Sequence, residues 1–214
     1  MGESEDAKRL EELWAGEFGD DYVARNDEYA ARNAELQRGR LPFWQARVEA
    51  LQPANVLEIG CNVGGNLRWI AELVGAEHVA GIDVNEGALQ TAREHLPAAD
   101  LRRAPARALP FADASFDLVF TTGVLIHQPP SELPTVMDEI VRVSRRHVLC
   151  GEYQAPDIEE VPYRGQEGAL YRADYGRMYQ ERHPELTLID QGFLPKGDGP
   201  WDDLTWWVFE KPAG

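Results

Sequence analysis

Two carboxylates bracket a glycine-rich turn in this chain. The turn reads Val56-Leu-Glu-Ile-Gly60-Cys-Asn62-Val-Gly64-Gly-Asn66; Glu58 precedes Gly60 by two residues, and Asp83 follows Gly64 by 19. Glycine at such a turn lets a ligand come close to backbone N–H groups. An acidic residue that ends the next strand can accept hydrogen bonds from both hydroxyls of a ribose. A dinucleotide turn of the form G-x-G-x-x-G needs its second glycine where a pyrophosphate approaches. Asn62 stands at that position, and the charge of Glu58 would oppose a phosphate.

The chemistry left by that exclusion is a nucleoside without phosphates. S-adenosylmethionine carries a sulfonium and an α-ammonium, and Glu58 can organise that cationic end. Glu58, Gly60, Cys61, Asn62, Gly64, Asp83 and Val84 are therefore expected to hold it, with Gly123 near the methionine part. Transfer of a methyl from sulfur is an in-line displacement, and an amine or hydroxyl acceptor must shed a proton, so a base helps. His127 follows a strand and precedes Pro129-Pro130; Glu152 and Tyr153 end the next strand. These three are the expected catalytic residues.

The C-terminal third mixes carboxylates with aromatic rings: Tyr163, Arg164, Tyr171, Asp174, Tyr175, Trp201, Asp202, Asp203 and Trp206. Carboxylates and ring faces can wrap a cation, whereas Arg164 suits a carboxylate. Together they fit a zwitterionic metabolite. Trp206 and Trp207 lie on a strand, so at least one is expected in the core. Tyr22, Arg25, Tyr163, Arg164, Asp202, Asp203 and Trp206 are the expected substrate contacts. Trp14, Phe18 and Tyr22 recur every four residues and so share a helical face, as a lid or a staple.

These side chains need a scaffold. Residues 5–50 read as helical, with a break at Gly16–Gly19. Strands and helices then alternate: strand 55–59, helix 66–74, strand 78–84, helix 86–95, a weaker strand 100–104, strand 116–121, helix 131–145 behind a Ser131 cap, and strand 147–153. A loop over 155–168, a helix over 169–182 and strands at 186–194 and 204–210 complete the chain. Alternation of this kind predicts a doubly wound α/β sheet. The expected organisation is a helical cap over 1–45, a cofactor-binding core over 46–153, and a substrate-facing segment with the last two strands over 154–214, in one compact domain.

The stretch E-x-G-C-N-x-G with Gly-Ile-Asp83 downstream, and Leu109-Pro-Phe-Ala-Asp-Ala-Ser-Phe-Asp117-Leu-Val, resemble the class I S-adenosylmethionine-dependent methyltransferases. That resemblance implies a Rossmann-like sheet, mostly parallel with an antiparallel C-terminal strand. One position departs: many relatives hold the adenine amino group with an Asp where this chain has Pro105, so the resemblance implies an adenine contact at backbone of Ala106 or Arg107. A narrower likeness spans nearly the whole chain. Leu13-Trp-Ala-Gly-Glu-Phe-Gly-Asp-Asp-Tyr-Val-Ala-Arg25-Asn26, Gly123-Val-Leu-Ile-His127, Glu152-Tyr153, Tyr163-Arg164-Gly165 and Asp202-Asp203-Leu-Thr-Trp206 resemble the pseudaminic acid biosynthesis-associated methylases.

Composition bounds the partners. The chain has 214 residues, 37 Asp and Glu against 21 Lys and Arg, and a net charge of −16. Such a chain repels a phosphate backbone and an anionic membrane surface, so neither nucleic acid nor membrane is an expected partner. No apolar run reaches membrane-spanning length and the N-terminus is polar and acidic, so a cytoplasmic location is expected. Cys61 and Cys150 are expected as free buried thiols, and the five histidines show no metal-ligand spacing.

The expected function is transfer of a methyl from S-adenosylmethionine to nitrogen or oxygen of a small polar metabolite. A cationic amine or guanidine such as free arginine is the favoured acceptor. The alternatives are a nonulosonic, pseudaminic-type amino sugar or its precursor, a non-catalytic S-adenosylmethionine-binding protein, and a nicotinamide oxidoreductase. Oligomeric state has no signal in the sequence.

Overall fold

The computed structural model describes residues 5–32, 34–197 and 199–212, and no side chain is described between 26 and 34, where Asn26 falls. Four helices come first: α1 (Glu5–Ala15), α2 (Glu17–Arg32), α3 (Ala34–Arg38) and α4 (Leu41–Leu51). The break falls at Gly16 alone, and Gly19 lies inside α2. A Cβ on Gly19 would run into the Trp14 carbonyl and the Asn85 amide, so glycine lets α2 fold back tightly on the end of α1.

The alternating part follows as β1 (Val56–Ile59), α5 (Leu67–Val74), β2 (Val79–Asp83), α6 (Glu86–His95), β3 (Asp100–Arg103), β4 (Phe116–Thr122), α7 (Leu133–Val143) and β5 (Ser144–Glu152). Then come β6 (Glu159–Glu160), β7 (Tyr171–Arg172), α8 (Tyr175–Arg182), β8 (Thr187–Leu194) and β9 (Leu204–Glu210). Seven strands form one sheet in the order β3-β2-β1-β4-β5-β9-β8. β1 to β5 are mutually parallel, and β9 runs antiparallel between β5 and β8. The order reverses at the β1–β4 pair, and a crevice beyond the carboxyl ends of strands at such a switch point is where open α/β sheets bind ligands.

β1 and β4 are buried along nearly their whole length because both sheet faces are covered. One face packs α7 and α8 through Met137, Ile140, Tyr175 and Tyr179; the other packs Trp44 of α4 with Ile70 of α5 and Leu89 of α6. Trp206 and Trp207 are both buried, one on each face. Cys61 and Cys150 are buried free thiols.

Three boundaries differ from the sequence expectation. α7 begins at Leu133, without a side-chain cap, because Pro129-Pro130 closes a turn in which Glu132 N–H donates to the Pro129 carbonyl at 2.9 Å. It ends at Val143, and the chain enters β5 at once, with Ser144 Oγ donating to the His147 carbonyl at 2.9 Å. α8 begins at Tyr175, capped by Asp174, whose side chain accepts from Arg177 N–H. The stretch before it is extended, because Val161 N–H and Ala155 N–H donate to the Leu170 and Ala173 carbonyls and double the segment back on itself. Among the described residues no helix is long and apolar enough to cross a membrane, and no cluster of three His, Cys, Asp or Glu could hold a metal ion.

Candidate functional site

A cavity of about 780 Å³ opens at the carboxyl ends of β1, β2, β4 and β5, under α1 to α3. Glu58, Gly60, Cys61, Asn62, Asp83, Val84, Ala106 and Gly123 line one part of it; Tyr22, His127, Tyr153, Tyr163 and Asp202 line another.

In the first part the chain turns sharply after β1. Gly60 has φ +68, and a Cβ there would sit 2.5 Å from Val124 Cγ2, so both the backbone and the neighbour demand glycine. Asn62 takes the left-handed conformation at φ 48, which asparagine tolerates. Asp83 closes the turn: Asn62 N–H donates to Oδ2 and Asn85 N–H to Oδ1, each at 2.9 Å. Burial raises the Asp83 pKa against those two amides. Its carboxylate sits at the cavity wall with acceptor capacity left over, since each oxygen offers two lone pairs.

Glu58 is 2% exposed. Oε1 accepts from Asn66 Nδ2 at 2.8 Å, while Oε2 is buried with no partner. Burial lifts its pKa to about 8, against the opposing pull of Asn66 and the Arg40 charge. Asn66 in turn accepts from Arg40 Nη1 at 2.8 Å, and Arg40 lies 4.8 Å over the Trp201 ring. Glu58 lines the cavity, and a buried carboxyl with one unpartnered oxygen gains most from a cationic neighbour.

Several expected cofactor residues do other work. Gly64 is off the wall; a side chain there would press on Leu96 of α6 at 3.1 Å. Arg107 is also off the wall and grips Glu11 of α1 through Nε at 2.6 Å and Nη2 at 2.9 Å, so it fastens the helical cover instead of touching the cavity. Ala106, behind Pro105, does line the cavity.

The second part gathers distant segments. His127 ends a short 3-10 turn over Leu125–His127. Its ring lies 4.5 Å from Trp14 and 5.1 Å from Tyr163. Nδ1 is 2.6 Å from the Ala169 carbonyl, an acceptor, so the Nδ1–H tautomer is assigned and Nε2 keeps its lone pair. Burial lowers the pKa to about 4, which keeps the ring neutral near pH 7. Trp14, Phe18 and Tyr22 do converge, with ring centroids 5.3 Å from Trp14 in both cases; Trp14 and Tyr22 reach the cavity.

Glu152 departs from expectation. It is fully buried and absent from the cavity wall. Its carboxylate accepts from Val124 N–H at 3.0 Å and Ile126 N–H at 3.3 Å, because the chain after β4 turns back over the end of β5. Burial raises its pKa to about 7 against those amides. It holds the turn that carries His127, and cannot meet an acceptor directly. Tyr153 does line the cavity and donates to Asp202 Oδ2 at 3.2 Å, while Lys196 Nζ holds Asp202 Oδ1 at 2.8 Å. Burial raises the Tyr153 pKa, helped by Asp202, so its hydroxyl stays protonated.

The acidic cluster does not converge. Asp174 caps α8, and Asp203 accepts from Lys196 N–H at 2.8 Å, closing its own loop. Trp206 is packed by Arg47 and Phe43 and lies off the wall. Tyr171 and Tyr175 are also off it. Tyr163 lines it; Arg25 and Arg164 sit off the wall, each against a tyrosine that lines it. Sequence reasoning missed Asn66, Arg40, Trp201 as a wall residue, and Asn85. Asn85 Nδ2 donates to the Trp14 carbonyl at 3.2 Å and to Asp20 Oδ1 at 2.8 Å, pinning the α1–α2 joint beside the glycine turn. A polar residue at the helix start following each strand end, Asn66 after β1 and Asn85 after β2, was the available signal.

Comparison with known proteins agrees with this geometry. Residues 56–147 match the model of the methyltransferase-domain family. A sterol 24-C-methyltransferase of Gibberella zeae is 30% identical over 145 residues, covering 65% of this chain and 34% of that protein. The malonyl-acyl-carrier-protein O-methyltransferase of Erwinia pyrifoliae is 37% identical over 118 residues, covering 53% and 42%. The chain thus spans less than half the length of these two relatives. Among solved structures, the magnesium protoporphyrin IX methyltransferase of Synechocystis with bound S-adenosylhomocysteine matches with TM-score 0.69 and 13% identity, over 95% of this chain and 99% of that one. The fold is the Rossmann-like fold of class I methyltransferases.

Proposed function

We propose that this chain is an S-adenosylmethionine-dependent methyltransferase acting on nitrogen or oxygen of a small polar metabolite. The observation that carries the reading is Glu58, a cavity-lining residue whose buried Oε2 has no hydrogen-bond partner, in the same part of the cavity as Asp83. A dinucleotide would bring phosphates to two carboxylates. S-adenosylmethionine brings an ammonium for Glu58 and ribose hydroxyls for Asp83, so the residues present fit it.

When bound, that cofactor supplies an electrophilic methyl on sulfur. The chain's own residues then do three things. Glu58 and Asp83 fix the two ends of the nucleoside amino acid. Trp14 and the α1–α2 cover exclude water over the site. His127 offers a neutral Nε2 lone pair to the acceptor's proton, held in that tautomer by the Ala169 carbonyl.

Of the two acceptor classes expected, the cationic one loses support. Glu152 is spent on backbone amides, Asp174 and Asp203 on their own segments, and Asp202 on Lys196 and Tyr153. An aromatic floor with a neutral histidine suits a neutral nucleophile, a hydroxyl or an unprotonated amine. That favours the amino-sugar class, which also agrees with the resemblance to pseudaminic-type methylases. Incubation of a metabolite pool with isotopically labelled methyl donor, followed by mass spectrometry, tests the reading. A labelled small polar product is expected; label on protein or nucleic acid alone, or none with cofactor bound, contradicts it.

A further inference from the structure

The side-chain amide of Asn66 has every hydrogen-bonding position filled. Nδ2 donates to Glu58 Oε1 and to Thr122 Oγ1, each at 2.8 Å. Oδ1 accepts from Arg40 Nη1 at 2.8 Å and from Trp44 Nε1 at 3.4 Å. Acceptors on one side and donors on the other leave the amide a single orientation.

Arg40 also meets a distant part of the chain. Nη2 donates to the Pro200 carbonyl at 3.1 Å, and Cζ lies 4.8 Å from the Trp201 ring centroid. Gly39 lets Pro200 come close, since a Cβ there would sit 3.2 Å from Pro200 Cδ. Phe43, in the first turn of α4, backs the Trp201 ring at 5.2 Å between centroids. Trp201 lines the cavity, and its neighbour Asp202 receives the Tyr153 hydroxyl at 3.2 Å. One line of contacts therefore runs from Glu58 through Asn66 and Arg40 to the wall beside Tyr153.

Charge can pass along that line. Burial raises the Glu58 pKa, and the Arg40 charge is among the groups that pull against it. An ammonium beside Glu58 favours the carboxylate, which accepts from Asn66 more strongly than a neutral carboxyl does. Hydrogen bonds in series polarise one another, so Asn66 Oδ1 then holds Arg40 more firmly. A guanidinium fixed on one side presents its other N–H groups and its face to Pro200 and Trp201 at a fixed place.

We infer that Arg40 is a positioning residue through which the cofactor's ammonium, once bound at Glu58, orders the Pro200–Asp202 wall, so that the acceptor site is completed after the cofactor enters. The inference rests on the methyl-transfer reading of the cavity. Coupling of this kind is reciprocal, so acceptor and cofactor tighten each other's binding.

Tryptophan emission tests it and needs no acceptor. The Trp201 signal is the difference between the wild type and Trp201→Phe. S-adenosylhomocysteine carries the ammonium and is expected to shift that signal. Saturating 5′-methylthioadenosine, a nucleoside thioether without the amino-acid end, is expected to leave it unchanged. Arg40→Gln loses the shift, while calorimetry still finds S-adenosylhomocysteine bound. Should Arg40→Gln fail to fold, Arg40→Lys keeps the charge without the fork and weakens the shift. No shift in the wild type, an equal shift with 5′-methylthioadenosine, or an undiminished shift in a folded Arg40 variant overturns the inference; the last would report direct contact between ligand and ring. Loss of S-adenosylhomocysteine binding in folded Arg40→Gln also overturns it, because Arg40 would then be a ligand contact. Failure of the wild type to bind S-adenosylhomocysteine would instead overturn the methyl-transfer reading.

Discussion

The two ends of the cavity are built in different ways. The Glu58–Asp83 end comes from consecutive strand tips and the turns that follow them, joined by parallel register from Val56↔Val79 to Ile59↔Ile82. Its carboxylates are held by backbone amides and one asparagine. The His127 end is assembled from α1, α2, the turn after β4, the loop before α8 and the loop before β9. Its contacts are ring on ring. A site made of strand tips is specified by local sequence, and one made of loops by how the whole chain packs. The first suits a ligand shared by many enzymes; the second is free to differ from one to the next.

The largest effect expected falls at the loop-built end. His127→Ala should lower turnover by about 10²-fold or more, the range for losing a positioned base, while S-adenosylhomocysteine affinity in calorimetry stays near wild type. Glu152→Gln should lower turnover less, because an amide can replace only part of what the carboxylate accepts from Val124 and Ile126. A larger loss for Glu152→Gln than for His127→Ala would return Glu152 to a direct role with a cationic acceptor.

At the strand-built end, Asp83→Ala removes the proposed ribose acceptor and the anchor of the Asn62 amide. Affinity for S-adenosylmethionine should drop roughly 5- to 150-fold, equivalent to about 1–3 kcal/mol. Unchanged affinity would break the contrast between the ends.

Protonation of Glu58 gives a smaller effect. Its pKa of about 8 in the free protein leaves it mostly neutral at pH 7. A bound ammonium favours the carboxylate, so binding releases a proton, and affinity rises with pH by at most about tenfold per unit until the ligand's own α-ammonium deprotonates, at roughly pH 8. In the free protein the raised pKa is stabilising below the unfolded value, 4.5, and that contribution is lost as pH rises through about 8. Thermal stabilisation by the cofactor should therefore grow from acid toward neutral pH. Glu58→Gln should flatten both dependences.

The smallest effect concerns the cover. Arg107→Ala cuts its half-buried pair with Glu11. Pairs of this kind contribute about 0.2–1 kcal/mol, so cofactor release measured by stopped flow should speed up by no more than about fivefold.

The same division explains what could be read in the sequence. β1, α5, β2 and α6 fell within one residue of expectation, because apolar residues around a glycine turn are local signals. The start of α7 did not, since Pro129-Pro130 consumes Ser131 before the helix forms. α8 starts late because residues 155–173 satisfy their backbone against one another, which no local pattern announces. Glu152 was correctly placed at a strand end near the cleft; its occupation by the Val124 and Ile126 amides depends on a turn 26 residues earlier. Arg40 reaches Glu58 only through Asn66, a two-step contact that spacing cannot reveal.

The most direct test of the central claim is a calorimetric titration of the wild-type protein with S-adenosylmethionine and, separately, with NAD. Asn62 replaces the second glycine of a dinucleotide turn and Glu58 lies beside it, so S-adenosylmethionine is expected to saturate one site per chain and NAD to give no saturable heat. Saturation by NAD at comparable concentration, or no binding of S-adenosylmethionine, would contradict the account.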